Sequence, residues 1–212
     1  MKKRTINLII NQKFEEWVKT ITDENVKKLV QENTICTGGA IASMLLNEEV
    51  NDFDFYFRTK ETALAVARYY VQKFIENPTN TFKSKNTGEV MFGVEDTEDR
   101  IKIKIKSVGI VAEGDGLNDY KYFESLSPES VEADQFVKTL SEDKSITSKD
   151  KLKTYRPVFL SQNAITLTND VQLIFRFFGE PAQLHENYDF VHCTNYWRSW
   201  TKEVTLNPDA LE

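Results

Sequence analysis

The chain of 212 residues is long enough for one sizeable domain, or for a domain with a large insertion, and too short for two full ones. Hydrophobic residues make up 40% and aromatics 12%, which excludes a disordered chain, and the eight Gly and five Pro exclude a collagen-like or linker-dominated one. With 27 basic and 33 acidic residues the net charge is −6, so the chain as a whole is no nucleic-acid sponge, though a local basic groove stays open.

Met1-Lys2-Lys3-Arg4 has the charge of a signal-peptide start, but the apolar stretch behind it, Ile6 to Ile10, is short and broken by Asn7 and Asn11. No run approaches the ~20 apolar residues needed to cross a bilayer. The expectation is a cytoplasmic protein with no membrane role. Cys36 and Cys193, far apart in apolar sequence, read as reduced, buried thiols.

Apolar positions at helical spacing (Phe14, Trp17, Val18, Ile21, then Val26, Leu29, Val30) predict two short helices over 13–32, broken near Thr22-Asp23. A buried strand, Asn33 to Thr37, should follow, then a Gly38-Gly39 turn, a small-residue helix from Ala40 to Leu46 and a strand over 51–57. Thr59 is placed to cap a helix running to Phe74. Residues 76–100 are polar, with Glu89 to Val94 the best extended piece. Ile101-Lys102-Ile103-Lys104-Ile105-Lys106 alternates as a half-buried strand does; Lys102, Lys104 and Lys106 either line a phosphate path or protect a solvated edge by charge.

From 113 to 151 the chain is acidic and Ser-rich, and reads as an insertion or flap with one helix, Glu129 to Leu140, capped by Ser127 and Pro128. Ala164 to Thr168 and Val171 to Phe178 read as a hairpin across Asn169-Asp170. A short helix, Pro181 to Glu186, leads to an extended piece, Tyr188 to Cys193. This order predicts an α+β fold, a mixed β-sheet with flanking helices.

The chemistry concentrates in Cys36-Thr37-Gly38-Gly39-Ala40-Ile41-Ala42-Ser43 and Asn51-Asp52-Phe53-Asp54-Phe55-Tyr56-Phe57. Side chains two apart on a strand share a face, so Asp52 and Asp54 project together while Phe53, Phe55 and Phe57 pack behind them. Two carboxylates that close repel unless a cation lies between them, and hard divalent cations favour such oxygens together with substrate phosphates. The glycines upstream allow backbone N–H groups to approach a phosphate.

Gly38-Gly39 with Asp52-x-Asp54 resembles the signature of nucleotidyltransferases with a polymerase-β-type palm, most of all the head domain of CCA-adding enzymes and poly(A) polymerases. Residues 33–75 carry the resemblance well and 158–193 more loosely; the later part, from Tyr155-Arg156-Pro157-Val158-Phe159 through Tyr188-Asp189-Phe190-Val191-His192-Cys193, is also similar to bacteriophage-encoded proteins of this type. The resemblance implies a single nucleotidyltransferase-like domain over 1–212 in a virus-encoded protein acting in the host cytoplasm. It also implies an NTP such as ATP as substrate and two Mg²⁺ ions, or Mn²⁺, held by three carboxylates. NMP would pass to an RNA 3′ end or a protein side chain, with release of pyrophosphate. A helical portion is expected beyond Asp209-Ala210-Leu211-Glu212.

Two departures stand out. Where CCA-adding enzymes carry an Arg-Asp pair, this chain reads Ala42-Ser43, and Ser43 either donates to a triphosphate oxygen or lets helix and strand pack closely. The strand expected to bring the third carboxylate places Gln172 there; Asp189 is the substitute if its segment pairs beside 171–178. Arg176 shares a strand face with Gln172 and is a phosphate clamp or a structural ion-pair partner. His185 and His192 with Cys193 fall short of a zinc site. Tyr196, Trp197 and Trp200 stack a base or belong to the core. The competing reading is a catalytically degenerate transferase fold that serves as a binding module.

Overall fold

The computed structural model describes residues 1–79, 89–98, 100–108, 155–186 and 194–208. The chain opens with helices α1 (Lys3–Thr20) and α2 (Glu24–Asn33), then strand β1 (Thr34–Thr37), helix α3 (Gly39–Leu45), strand β2 (Phe53–Phe57) and helix α4 (Lys60–Glu76). Strands β3 (Glu89–Thr97) and β4 (Arg100–Val108) form a separate hairpin. Next come β5 (Pro157–Leu160), β6 (Ala164–Leu167), β7 (Val171–Phe178), the short helix α5 (Pro181–His185), β8 (Tyr196–Arg198) and β9 (Glu203–Thr205). Seven strands make one sheet in the order β5-β6-β7-β2-β1-β8-β9. Among the described residues only the β2–β7 pairing is parallel, so the sheet is mixed and the fold is α+β, as expected.

Helix α1 starts at Lys3, ten residues before the expected start at 13. Ile6, Ile10, Phe14 and Trp17 recur at three- and four-residue intervals and are all buried, which makes one apolar stripe. Asn7 and Asn11, which look like interruptions, are its docking groups. Asn7 Oδ1 accepts the Val204 backbone N–H at 2.6 Å, and Asn11 Oδ1 accepts the Trp197 indole N–H at 2.8 Å. The break between α1 and α2 falls where expected, and Asp23 caps α2 by accepting from the N–H groups of Asn25 and Val26. Thr59 caps α4 by accepting from Thr62.

The sheet has two unlike faces. Phe53, Phe55 and Phe57 of β2 join Val171, Leu173 and Phe175 of β7 in a core roofed by α1, α2, α3 and α4. Trp17 stacks on Phe55 with ring centroids 5.1 Å apart, and its indole donates to the Tyr70 hydroxyl at 2.6 Å. Residues of opposite parity (Ile35, Tyr56, Ala164, Ile174) face the other way and meet Leu184 of α5. The expected hairpin across Asn169-Asp170 is present; both residues have positive φ (64° and 61°), the backbone that tight two-stranded turns require.

The β3–β4 hairpin lies against α4, with Phe92 edge-on to Phe74, and Ile101 and Ile103 are buried. Lys104 pairs with Glu95 at 2.7 Å; the side chain of Lys106 lies outside the described residues. The 113–151 insertion, its Ser127-capped helix, the Tyr188–Cys193 segment and Asp209 onward also lie outside them. The segment that carries Asp189 lies outside the described residues; among those described, β7 is paired by β6 over 171–174 and by β2 on its other edge.

Candidate functional site

Strand directions gather the site. β1 is antiparallel to β2, and β2 is parallel to β7, so the end of β1 and the starts of β2 and β7 lie at one end of the sheet. That end holds the Gly38-Gly39 turn, Asp52, Asp54 and Gln172. Asp54 is in direct register with Gln172, and Gln172 with Thr166 of β6. In-register neighbours sit about 4.8 Å apart across a sheet, so the three side chains form a transverse row on the face away from the helices. One step past the Cys36–Phe55 pair, Thr37 stands level with Asp54, and on its far side it pairs with Tyr196. Asp52 lies just outside β2, half-buried, in the segment that enters the strand. The expected strand over 51–57 therefore starts two residues later.

Gly38 is the N-cap of α3 with φ 97°, a conformation that glycine adopts at no steric cost. A Cβ built on Gly39 would meet no atom of the described residues within 4 Å, so among them the space above the turn is open. Ser43 sits one helical turn after Gly39, half-buried, on the side of α3 opposite Ile41 and Met44. Arg176 is not brought to this end. It lies four residues beyond Gln172 along β7, about 13 Å at strand spacing, is exposed, and stacks over Phe177 at 5.0 Å.

The surroundings of Asp54 are dry on one side. Cys36 is fully buried, and burial first, then the Asp54 carboxylate, push its thiol pKa well up, so it is a neutral thiol, in keeping with the reduced-cysteine reading. Gln172 is 4% exposed. Thr166 Oγ1 is buried with no hydrogen-bond partner among the described residues, which leaves an unused polar atom at the end of the row.

Three residues that sequence reasoning passed over shape this end. Thr37 donates its hydroxyl proton to the Asn195 carbonyl at 2.8 Å, and its oxygen lies 3.0 Å from His185 Nε2. With that one proton spent on the carbonyl, the oxygen accepts from His185, which fixes the proton on Nε2. Burial lowers the His185 pKa, so the ring is neutral at pH 7. Lys13 lies 5.5 Å from the ring centres of both Phe53 and Tyr155; burial lowers its pKa, opposed by the Asp170 and Glu16 charges. The Phe53 N–H donates to the Asp170 carbonyl at 2.8 Å, tying the start of β2 to the turn before β7. Thr166 completes the set. The contacts of Thr37 and Lys13 had no signal in the sequence, because they span tens to well over a hundred residues.

Trp197 is core: it is fully buried against Phe14 and Phe55. Tyr196 and Trp200 lie half-buried on the opposite face. Asp189, His192 and Cys193 lie outside the described residues; His185 and Asn195, which bracket that segment, both bond Thr37. Among the described residues no group of three or more His, Cys, Asp or Glu side chains is arranged to hold a metal ion. Among them, too, no helix is long and apolar enough to cross a membrane.

A family model described as Gabija anti-defense 2 family protein, Gad2, matches residues 8–212. The chain belongs to this family. The match takes in α1 from its second turn, the glycine turn, both aspartates and the whole of the mixed sheet, so the site is part of the Gad2 domain and no appendage to it. No curated protein and no solved structure matches the chain.

Proposed function

We propose that this Gad2 protein is a divalent-metal-dependent nucleotidyltransferase of the polymerase-β type, acting in the cytoplasm against the defence its family is named for. The observation that carries the reading is the convergence at one sheet end of an open Gly38-Gly39 turn, Asp52 and Asp54, on the strand–turn–helix–strand path that this chemistry uses. The donor set fits one hard cation: two carboxylates supply two charges, and the Gln172 amide beside them supplies an oxygen and no charge. A second ion needs one more carboxylate, and Asp189 is the proposed source.

In this reading the backbone of the glycine turn and the Ser43 hydroxyl hold the triphosphate of an NTP. Asp52 and Asp54 orient it, and the acceptor hydroxyl oxygen bonds to the α-phosphorus while the α–β bridging P–O bond breaks. Pyrophosphate leaves with the electron pair, and the hydroxyl proton passes to solvent. A bound divalent cation neutralises the phosphate charge that grows in this transfer. The neutral His185–Thr37 pair beside Asp54 adds no charge that would compete for the cation.

The test is transfer of label from an α-labelled NTP with release of pyrophosphate in Mg²⁺, using infected-cell RNA and protein as acceptors. The reading expects both products, and their loss in Asp52→Ala with Asp54→Ala. Calorimetry showing nucleotide binding without turnover would favour the second reading, a degenerate transferase fold that binds and sequesters. One observation favours it: the amide of Gln172 in register with Asp54 where a carboxylate would serve catalysis.

A further inference from the structure

The same open sheet face carries a second set of side chains, unused by the transfer chemistry, that runs from Tyr196, in register with Thr37, toward its other end. Arg58 follows β2, and its guanidinium lies 4.0 Å from the ring centre of Trp200. It is held there by two bonds to Asn33 Oδ1 (3.1 and 3.0 Å) and one to the Glu32 carbonyl (2.9 Å), so its plane is fixed in advance. Arg198 lies 6.0 Å from the Trp200 centroid and 5.6 Å from that of Tyr196. Arg176 and Phe177 stand across the sheet on β7.

Tyr196, Phe177 and Trp200 are only partly buried where they pack on Ile35, Tyr56 and Leu184. Two acids border the group among the described residues: Glu180, 3.8 Å from Arg58 and more exposed than it, and the exposed Glu203, in register with Arg198. Arg176 and Arg198 make no ion pair among the described residues. In a chain of net charge −6, three arginines interleaved with three half-exposed rings are a local reversal of sign. Flat rings take the faces of unpaired bases whatever their sequence, and arginine forks take the phosphates between them. Paired bases in a duplex expose no such faces.

We infer that Tyr196, Trp200 and Phe177, with Arg198 and Arg176, form a binding surface for single-stranded nucleic acid, anchored by Arg58. It stands on residues separate from the transfer site and holds whether or not that site turns over.

The test is fluorescence anisotropy of the full chain with labelled dT20, rU20 and a 20-base-pair duplex across a salt series. Expected is salt-dependent binding of both single strands and at least tenfold weaker binding of the duplex. Arg176→Gln with Arg198→Gln should weaken binding about tenfold and lower the slope of log K against log salt by about 1.4, two phosphate contacts at single-strand density. Trp200→Leu should weaken it about fivefold or more through the lost stack. Asp52→Ala with Asp54→Ala should bind as the parent does, and circular dichroism should show each variant folded. The inference is overturned if the parent fails to bind either single strand at low salt, or binds the duplex equally well. It is also overturned if the arginine variant binds undiminished, or if binding is lost with the aspartates instead.

Discussion

Asp54 has an uncharged thiol behind it and an uncharged amide beside it, so neither of these neighbours offsets its charge. Placing a third carboxylate there makes the consequence measurable. Gln172→Asp puts a buried charge in register with Asp54; without metal this should lower the melting temperature and raise the apparent carboxylate pKa values, because like charges that close cannot both ionise cheaply. Mn²⁺ or Mg²⁺ should restore the melting temperature of the variant by more than it raises that of the parent. Equal metal responses would mean that Gln172 does not border the cation site.

The two glycines separate folding from ligand approach. Gly38→Ala forces an alanine to φ 97° and should cost about 1–2 kcal/mol of stability in urea unfolding. Gly39→Ala places its Cβ in open space at the first turn of a helix, so stability should hold or rise by up to about 1 kcal/mol. Nucleotide affinity should fall, because that methyl occupies the path of the phosphate. Unchanged affinity would remove the turn from the binding account.

Helix α1 is pinned to the far edge of the sheet by two asparagines as well as by its apolar stripe. Asn11→Ala leaves the Trp197 indole N–H, beside a fully buried ring, without its acceptor. Urea unfolding should show a loss of about 1–3 kcal/mol, whereas Leu8→Ala, on the exposed face of the same helix, should change little. These asparagines also explain why the start of α1 was illegible in the sequence. An Asn between isoleucines reads locally as a breaker, and its partners lie nearly two hundred residues on. Elements whose determinants are local were legible: the Thr59 cap, the Asn169-Asp170 turn, and the aromatic alternation of β2.

Helix α5 gives a pH dependence. Burial lowers the His185 pKa from its ordinary 6.5, so between the folded and unfolded values the unfolded chain binds more protons. Stability is therefore full above about pH 6.5 and declines as the pH falls toward the lower folded value. His185→Gln, which keeps a donor for Thr37, should flatten that decline in chemical unfolding at pH 7 and pH 5; an unaltered pH profile would show that another group is responsible.

At the scale of the molecule, the sheet divides the labour: one face is spent on a core of stacked aromatics, and the other is left for the site at one end and for an arginine–aromatic surface that runs from Tyr196 away from it. Which face each residue takes was legible from alternation. Which strands adjoin was not, because the parallel pairing of β2 with β7 joins segments more than a hundred residues apart, and no local pattern encodes it. That pairing is what puts Gln172 beside Asp54 and sends Arg176 to the opposite end.

The most direct measurement of the central claim is anomalous scattering from crystals grown with Mn²⁺ and a non-hydrolysable NTP analogue. The account predicts a manganese peak between the carboxylates of Asp52 and Asp54, with the triphosphate against the Gly38-Gly39 turn. Manganese and nucleotide bound elsewhere, or a well-ordered site that stays empty at millimolar concentrations of both, would contradict it.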